Sequence, residues 1–364
     1  MLKGMKDFYI SDAVRFENEV VTSYFCLTSI ATREKKTGGG QYLAITLGDR
    51  TGTFEARMWD NFADTVAQCN EGCYVKAKGQ VSKYQGKFQI TLQQMRLASE
   101  SEVDASDFQP VSRFDPAEME AELRRYVAEF RNDDLRRLVL AFLDDVKIGA
   151  AFRVAPAAKY LHHAWLHGLL EHVLTLVRVC RATAPFYPDV DPDLLVTGAI
   201  LHDIGKTREL HWKPSFGYTI EGQMIGHISI AQGMLREKLR DLSPFPERLG
   251  VLVEHMILSH HGKYEFGSPK LPMTPEALLL NVLDDLEAKM QNMRSEFDRE
   301  LAAGKSGAGM TEWVRSMERP LLNSQAYLAE GTKEAAVATP PAPVAPAKVV
   351  EREVVIEAPP SLFD

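Results

Sequence analysis

Leu194-Leu195-Val196-Thr197-Gly198-Ala199-Ile200-Leu201-His202-Asp203-Ile204-Gly205-Lys206 decides how the larger part of this chain is read. An apolar helix, Leu194 to Leu201, runs into an imidazole and a carboxylate, and burying both is costly without a cation or proton partner. Adjacent side chains on a helix point about 100° apart, so His202 and Asp203 can reach one ion from two angles. A carboxylate can also bridge two cations where an imidazole cannot. All ten histidines of the 364-residue chain lie between His162 and His261. Such crowding points to a metal site, since imidazole ligands must converge and carboxylates must balance the cation's charge.

Around this stretch the apolar period is that of helices. From Pro116 onward, Leu135, Leu138, Val139, Phe142, Leu143 and Val146 form one stripe, and Asn132 and Asp133 can cap its start. Further helices are expected over about 162–182, 193–202, 225–239, 246–259, 274–295 and 309–329. The expectation is an all-α domain over 116–330. His172 on the helix before the quoted stretch and Asp284 on a later one would complete a four-ligand set with His202 and Asp203, and His227, His260 and His261 could hold a second ion beside it. Lys206 lies about one turn beyond Asp203, placed to neutralise a phosphate, while His162 and His163 either contact phosphate or begin a helix.

The first hundred residues follow a different period. Alternating runs at about 22–31, 41–47, 52–59, 73–81 and 87–97 imply five strands, with a short helix around 61–67 after the third. In the third run, Phe54, Ala56 and Met58 share one face and Glu55, Arg57 and Trp59 the other. Five strands with a helix after the third match the OB-fold, a partly open barrel whose exposed face takes oligonucleotides or oligosaccharides. The loop Arg33-Glu34-Lys35-Lys36-Thr37-Gly38-Gly39-Gly40 is basic and glycine-rich, so Lys35 and Lys36 are candidates to meet a phosphate backbone. Tyr42, Trp59, Tyr84 and Phe88, with Arg57, are candidate base-stacking and backbone contacts or, alternatively, core.

Composition bounds the remaining choices. The formal net charge of −8 excludes a uniformly basic nucleic-acid coat, yet residues 1–99 hold 13 Lys and Arg against 10 Asp and Glu. The acidic run Glu100 to Asp107 marks a linker, 101–115, after a domain over 1–100. Residues 331–364, with Thr339-Pro340-Pro341-Ala342-Pro343, are too poor in large apolar side chains to pack and are expected to be a disordered tail. No apolar run approaches the roughly 20 residues of a membrane span, and Met1 to Phe16 lacks a signal peptide's apolar core. Four scattered cysteines read as thiols of a reducing cytoplasm.

The order His172, His202-Asp203, Asp284 on an all-α domain resembles the HD superfamily of metal-dependent phosphohydrolases. His227 and His260-His261 look like the additional ligands of its multi-metal members. With a preceding OB domain and the strings Gly168-Leu169-Leu170-Glu171-His172, Ser259-His260-His261-Gly262 and Phe266-Gly267-Ser268-Pro269, residues 20–325 resemble the YhaM family of 3′-to-5′ exoribonucleases. His167 stands where that family's string more often reads glycine. The resemblance implies an N-terminal all-β OB-fold barrel, an all-α HD domain and hydrolysis of single-stranded RNA to nucleoside 5′-monophosphates. It also implies Asp203 and Lys206 in catalysis and two divalent ions, manganese first, with iron, cobalt or zinc as alternatives. Single-stranded DNA as substrate, self-association into a dimer or ring, and two other readings stay open: hydrolysis of a small or cyclic nucleotide, and nucleic-acid binding with a structural metal.

Overall fold

The computed structural model describes residues 6–35, 39–159, 163–213, 215–302 and 304–337, and the chain divides into two compact units, 1–294 and 295–364. A 3-10 turn, Ile10–Phe16, leads into β1 (Val20–Glu34), β2 (Gln41–Asp49), β3 (Gly52–Met58), helix α1 (Ala63–Gln68), β4 (Tyr74–Tyr84) and β5 (Lys87–Leu97). The strands close a barrel in the order β1-β2-β3-β5-β4, antiparallel except for β3 beside β5, with β1 pairing β4 to complete the ring. This is the OB-fold architecture read from the sequence. Alternation places Phe54, Ala56 and Met58 inside, where they join Phe25, Leu27, Leu43, Leu47 and Ile90 in a closed apolar core.

The acidic stretch after β5 is a packed strap. Val103 and Phe108 bury with Tyr24, Cys26 and Tyr74 against the barrel. Its carboxylates have local work: Glu102 binds Arg96 at 2.7 Å, Asp104 caps Ser106 N at 3.1 Å, and Asp107 accepts the Tyr9 hydroxyl at 2.5 Å. The strap is then stitched to the helical region, with Leu166 N donating to Pro110 O at 2.8 Å and Gln109 Nε2 to Trp212 O at 2.6 Å.

The helical region comprises α2 (Pro116–Ala128), α3 (Asp133–Leu143), α4 (Ile148–Val154), α5 (Gly168–Thr183), α6 (Pro192–Leu201), α7 (Lys206–Glu209), α8 (Ile220–Ile225), α9 (His227–Asp241), α10 (Glu247–Ser259) and α11 (Pro275–Ala302). Between α7 and α8 a two-residue pairing, β6 (Leu210–His211) with β7 (Gly217–Tyr218), forms a small hairpin. Asn132 caps α3 by accepting from Asp134 N and Leu135 N, both at 3.1 Å. The α3 stripe buries through Leu143, but Val146 is 88% exposed because the helix ends at Leu143 and the chain turns away. α6 is buried on every side, as its unbroken apolar run requires.

Two expected helices differ from the structure. The first begins at Gly168 rather than near 162, because His167 takes a left-handed backbone (φ 67°) that breaks the helical path. Glycine would adopt that conformation with less strain than histidine. In the second unit, residues 309–323 hold the bridges Met310 to Leu322 and Val314 to Arg319 and a 3-10 turn, Arg315–Met317, instead of an α-helix, and Pro320 lies within this stretch. Helix α12 (Ser324–Val337) starts after Asn323, whose side chain accepts from Gln325 N and Ala326 N. It carries the chain past 331, where the tail was expected to begin, and residues 338–364 lie outside the described residues.

Candidate metal centre and nucleic-acid face

Four segments bring the histidines together, and each imidazole is aimed by a bond on its far nitrogen. His202 follows the last residue of α6 and donates Nδ1–H to Ala199 O at 2.9 Å; His260 follows α10 and donates Nδ1–H to Ile257 O at 2.8 Å. His172, in the second turn of α5, has Nδ1 2.7 Å from Glu287 Oε2. His227, first in α9, has Nδ1 3.1 Å from Glu209 Oε1. Every ring therefore presents Nε2 to a common centre, the orientation a carboxylate or carbonyl behind a metal ligand enforces. α9 can come so close because residue 205 is glycine: a Cβ there would lie 2.0 Å from His227 O.

Asp203 sits between two groups of donors and turns a different oxygen to each. Its Oδ2 is 3.3 Å from His202 Nε2 and 3.7 Å from His172 Nε2, and Asp284 Oδ1 closes this group at 3.3 Å from His172 and 3.6 Å from His202. Its Oδ1 is 3.5 Å from His227 Nε2 and 3.8 Å from His260 Nε2. His261 joins His227 and His260 in a set whose ligand atoms lie within 4.8 Å of one another. Donors about 2.1 Å from a shared tetrahedral cation stand roughly 3.4 Å apart, so these spacings suit coordination. Asp203 Oδ1, His227 Nε2 and His260 Nε2 are buried without a hydrogen-bond partner, an expensive arrangement that a divalent cation would relieve. The residues fit the group the sequence implies.

Electrostatics separates the two groups. Burial pushes the His172 and His202 pKa values down, but the neighbouring carboxylates outweigh it, leaving them at about 9 and about 10. Burial and the charge of His202 hold His260 well below the ordinary imidazole value, and burial with His227 lowers His261. Burial opposes ionisation of Asp203 and Asp284, yet Lys206 and His202 acting on Asp203, and His202 and His172 acting on Asp284, keep both carboxyls well below their usual range.

Three carboxylates behind the imidazoles escaped the sequence reading. Glu287 lies one helical turn beyond Asp284 on α11 and links His172 to His163, whose Nε2 is 2.7 Å from Glu287 Oε1. Glu171 accepts Trp165 Nε1 at 2.7 Å and stands 3.7 Å from His163 Nδ1, and Glu209 holds both the backbone and the ring of His227. A glutamate at i+3 from a ligand aspartate is the one signal that pointed to Glu287. His163 is 1% exposed and belongs to this backing layer, away from the residues that line the cleft described next. His162 lies outside the described residues.

A cleft of about 830 Å³ opens onto the centre, floored by Asp203, His260, His261 and Asp284. Lys206, at the start of α7, lines it with Nζ 2.6 Å from Asp203 Oδ2. Its pKa is raised despite burial because that carboxylate holds the proton.

On the barrel, Tyr42 and Trp59 pack their rings 4.8 Å apart on the outward face, one step beyond the Leu43–Met58 pair. Arg57 faces outward on the same strand, 5.8 Å from the ring of Tyr84, which is 53% exposed. Lys35 lies 5.8 Å from the Trp59 ring and 3.6 Å from Asp60. Phe88 leans partly into the barrel core, with Lys83 5.3 Å from its ring. Lys36 lies outside the described residues. The thiols of Cys26 and Cys69 are pushed up to about 11 by burial.

A family model for the HD domain matches residues 169–289, and one for an OB-fold nucleic acid binding domain matches residues 29–98. Among solved structures, the chain is similar to a replication protein A heterotrimer bound to ssDNA, at 21% identity over 22% of this chain and 58% of that one, with a TM-score of 0.18. It is also similar to the second OB-fold domain of replication protein A from Methanococcus maripaludis, at 18% identity over 26% of this chain and 95% of that one, with a TM-score of 0.22. At these TM-scores neither likeness carries an argument. An OB-fold nucleic-acid-binding domain is thus followed by an HD domain, the fold of metal-dependent phosphohydrolases. Among the described residues no helix is long and apolar enough to cross a membrane.

Proposed function

We propose that this chain is a 3′-to-5′ exoribonuclease that hydrolyses single-stranded RNA to nucleoside 5′-monophosphates, with single-stranded DNA as a second substrate. The observation that carries the reading is Asp203, which turns one oxygen to His172 and His202, the pair that Asp284 also faces, and the other to His227 and His260 on the floor of an open cleft. Divalent cations, manganese ahead of iron, cobalt or zinc, would supply Lewis acidity and a nucleophilic water there. The chain's own part is to hold and orient. His172, His202, His227, His260, His261, Asp203 and Asp284 are the proposed ligands, and Glu287 and Glu209 fix two of the imidazoles. Lys206 keeps a proton beside Asp203 and turns a positive charge to the cleft, where a phosphate oxygen would meet it.

Tyr42, Trp59, Arg57 and Tyr84 support strand binding by the barrel, since a ring pair and a guanidinium on one face suit stacked bases and phosphates. We place the chain in the cytoplasm, where cysteines this few and scattered stay reduced. The test incubates 5′-labelled and 3′-labelled single strands with Mn²⁺. A 5′-labelled ladder shortening one nucleotide at a time, with immediate release of labelled mononucleotide from the 3′-labelled strand, is expected. Intact strands alongside rapid cleavage of a cyclic nucleotide would replace this reading with a small-nucleotide phosphodiesterase.

A further inference from the structure

Phe266 is 62% exposed, yet it stands on a turn with almost no freedom. Its carbonyl accepts His261 Nδ1–H at 2.9 Å, and its N–H donates to Lys263 O at 3.1 Å. Behind it, Gly267 takes φ 81° and Ser268 is buried, its hydroxyl bound to Leu258 O at 3.1 Å and Lys270 O at 2.7 Å. An apolar ring is thus displayed on a pinned support whose other end is a candidate metal ligand, and it lines the same cleft as Asp203 and Lys206. Lys263 Nζ lies 5.2 Å from the Phe266 ring, and Lys289 lines the cleft from α11. Their ion pairs, to Glu265 at 3.2 Å and Asp285 at 2.5 Å, are solvent-exposed, and such pairs exchange readily for another anion.

We infer that the Lys263–Gly267 turn is a nucleobase platform: Phe266 stacks a base at the 3′ end of a single strand, with Lys263 and Lys289 beside the adjoining phosphates. An aromatic face flanked by ammonium groups suits a nucleotide's flat apolar base and anionic backbone, and it is sequence-tolerant because every base has a π-face. The inference rests on the exonuclease reading for which end of the strand enters, and it assigns a strand-binding residue outside the ligand set.

The test places 2-aminopurine, whose fluorescence stacking quenches, at the 3′ end of a single strand and, separately, at its 5′ end. Binding to the full chain without added metal is followed for wild type, Phe266→Ala and Phe266→Trp. The expected result is quenching of the 3′ probe alone, lost in Phe266→Ala and kept in Phe266→Trp. With Mn²⁺, the KM for the strand rises by roughly tenfold or more in Phe266→Ala, while calorimetric Mn²⁺ affinity stays unchanged. Equal quenching in wild type and Phe266→Ala overturns the platform, as does a loss of Mn²⁺ affinity that accompanies the loss of quenching. Quenching by wild type without strand shortening would sink the exonuclease reading and leave the platform standing.

Discussion

The two halves of the histidine cluster share Asp203 but stand in opposite electrostatic states. His172 and His202 lie among Asp203, Asp284 and Glu287, carboxylates that raise their pKa values to about 9 and about 10, so that in the absence of metal this half favours bound protons. His260 and His261 are pushed toward the neutral form by burial and by neighbouring imidazoles, and the Nε2 atoms of His227 and His260 stay unpaired. Cation binding to the first half must expel protons, whereas the second presents lone pairs already free. One residue thus joins a proton-loaded site to an open one.

The largest expected effect comes from the shared carboxylate. Asp203→Ala should lower turnover by more than about a thousandfold, since both halves lose a ligand. Asp203→Asn, which keeps the shape, separates this from the destabilisation of leaving Lys206 and His202 buried without their partner. Turnover within tenfold of wild type in both variants would break the idea of a shared ligand. A smaller, one-sided effect is expected behind the first half. Glu287→Gln should weaken metal affinity there by about 10- to 100-fold, because the amide keeps only one acceptor oxygen for His163 and His172 and loses the charge that fixes the His172 ring. Two-site calorimetry that finds both affinities reduced equally would show that Glu287 supports the whole fold instead.

The smallest effect is a pH dependence that differs between the halves. In metal-free protein, the raised His172 and His202 contribute stability that is full below the unfolded imidazole value of about 6.5 and is lost as pH rises through about 9 to 10. The depressed His260 and His261 do the reverse, contributing above about 6.5 and losing their share as pH falls below it. Melting temperature should therefore fall by several degrees on both sides of near-neutral pH, and saturating metal should remove the alkaline fall. A curve that keeps rising from pH 7 to 10 without metal would contradict these assignments.

Much of this arrangement was legible from the residues alone, for specific reasons. The α6 run announces a buried helix through its composition, and the alternation in β3 fixes which face enters the barrel. The convergence of His172, His202 and Asp284 followed from their order along the chain. What stayed hidden depends on geometry that no pattern encodes. Glu209 and Glu171 look like any surface glutamate until the helices pack, and Glu287 is marked only by its i+3 spacing from Asp284. The acidic strap was read as a linker because its charges suggested solvent, whereas each of Glu102, Asp104 and Asp107 has a local partner. The helix expected over 309–329 forms only from Ser324 onward, after Pro320, a residue whose missing N–H no amphipathic pattern reveals.

The most direct test of the shared-carboxylate account is the number of cations retained per chain, measured by plasma mass spectrometry on full-length wild type, His172→Ala, His260→Ala and Asp203→Ala after Mn²⁺ loading. The account predicts two in wild type, one in each histidine variant, and fewer than one in Asp203→Ala. Two cations retained by Asp203→Ala, or a single wild-type cation abolished equally by both histidine substitutions, would contradict it.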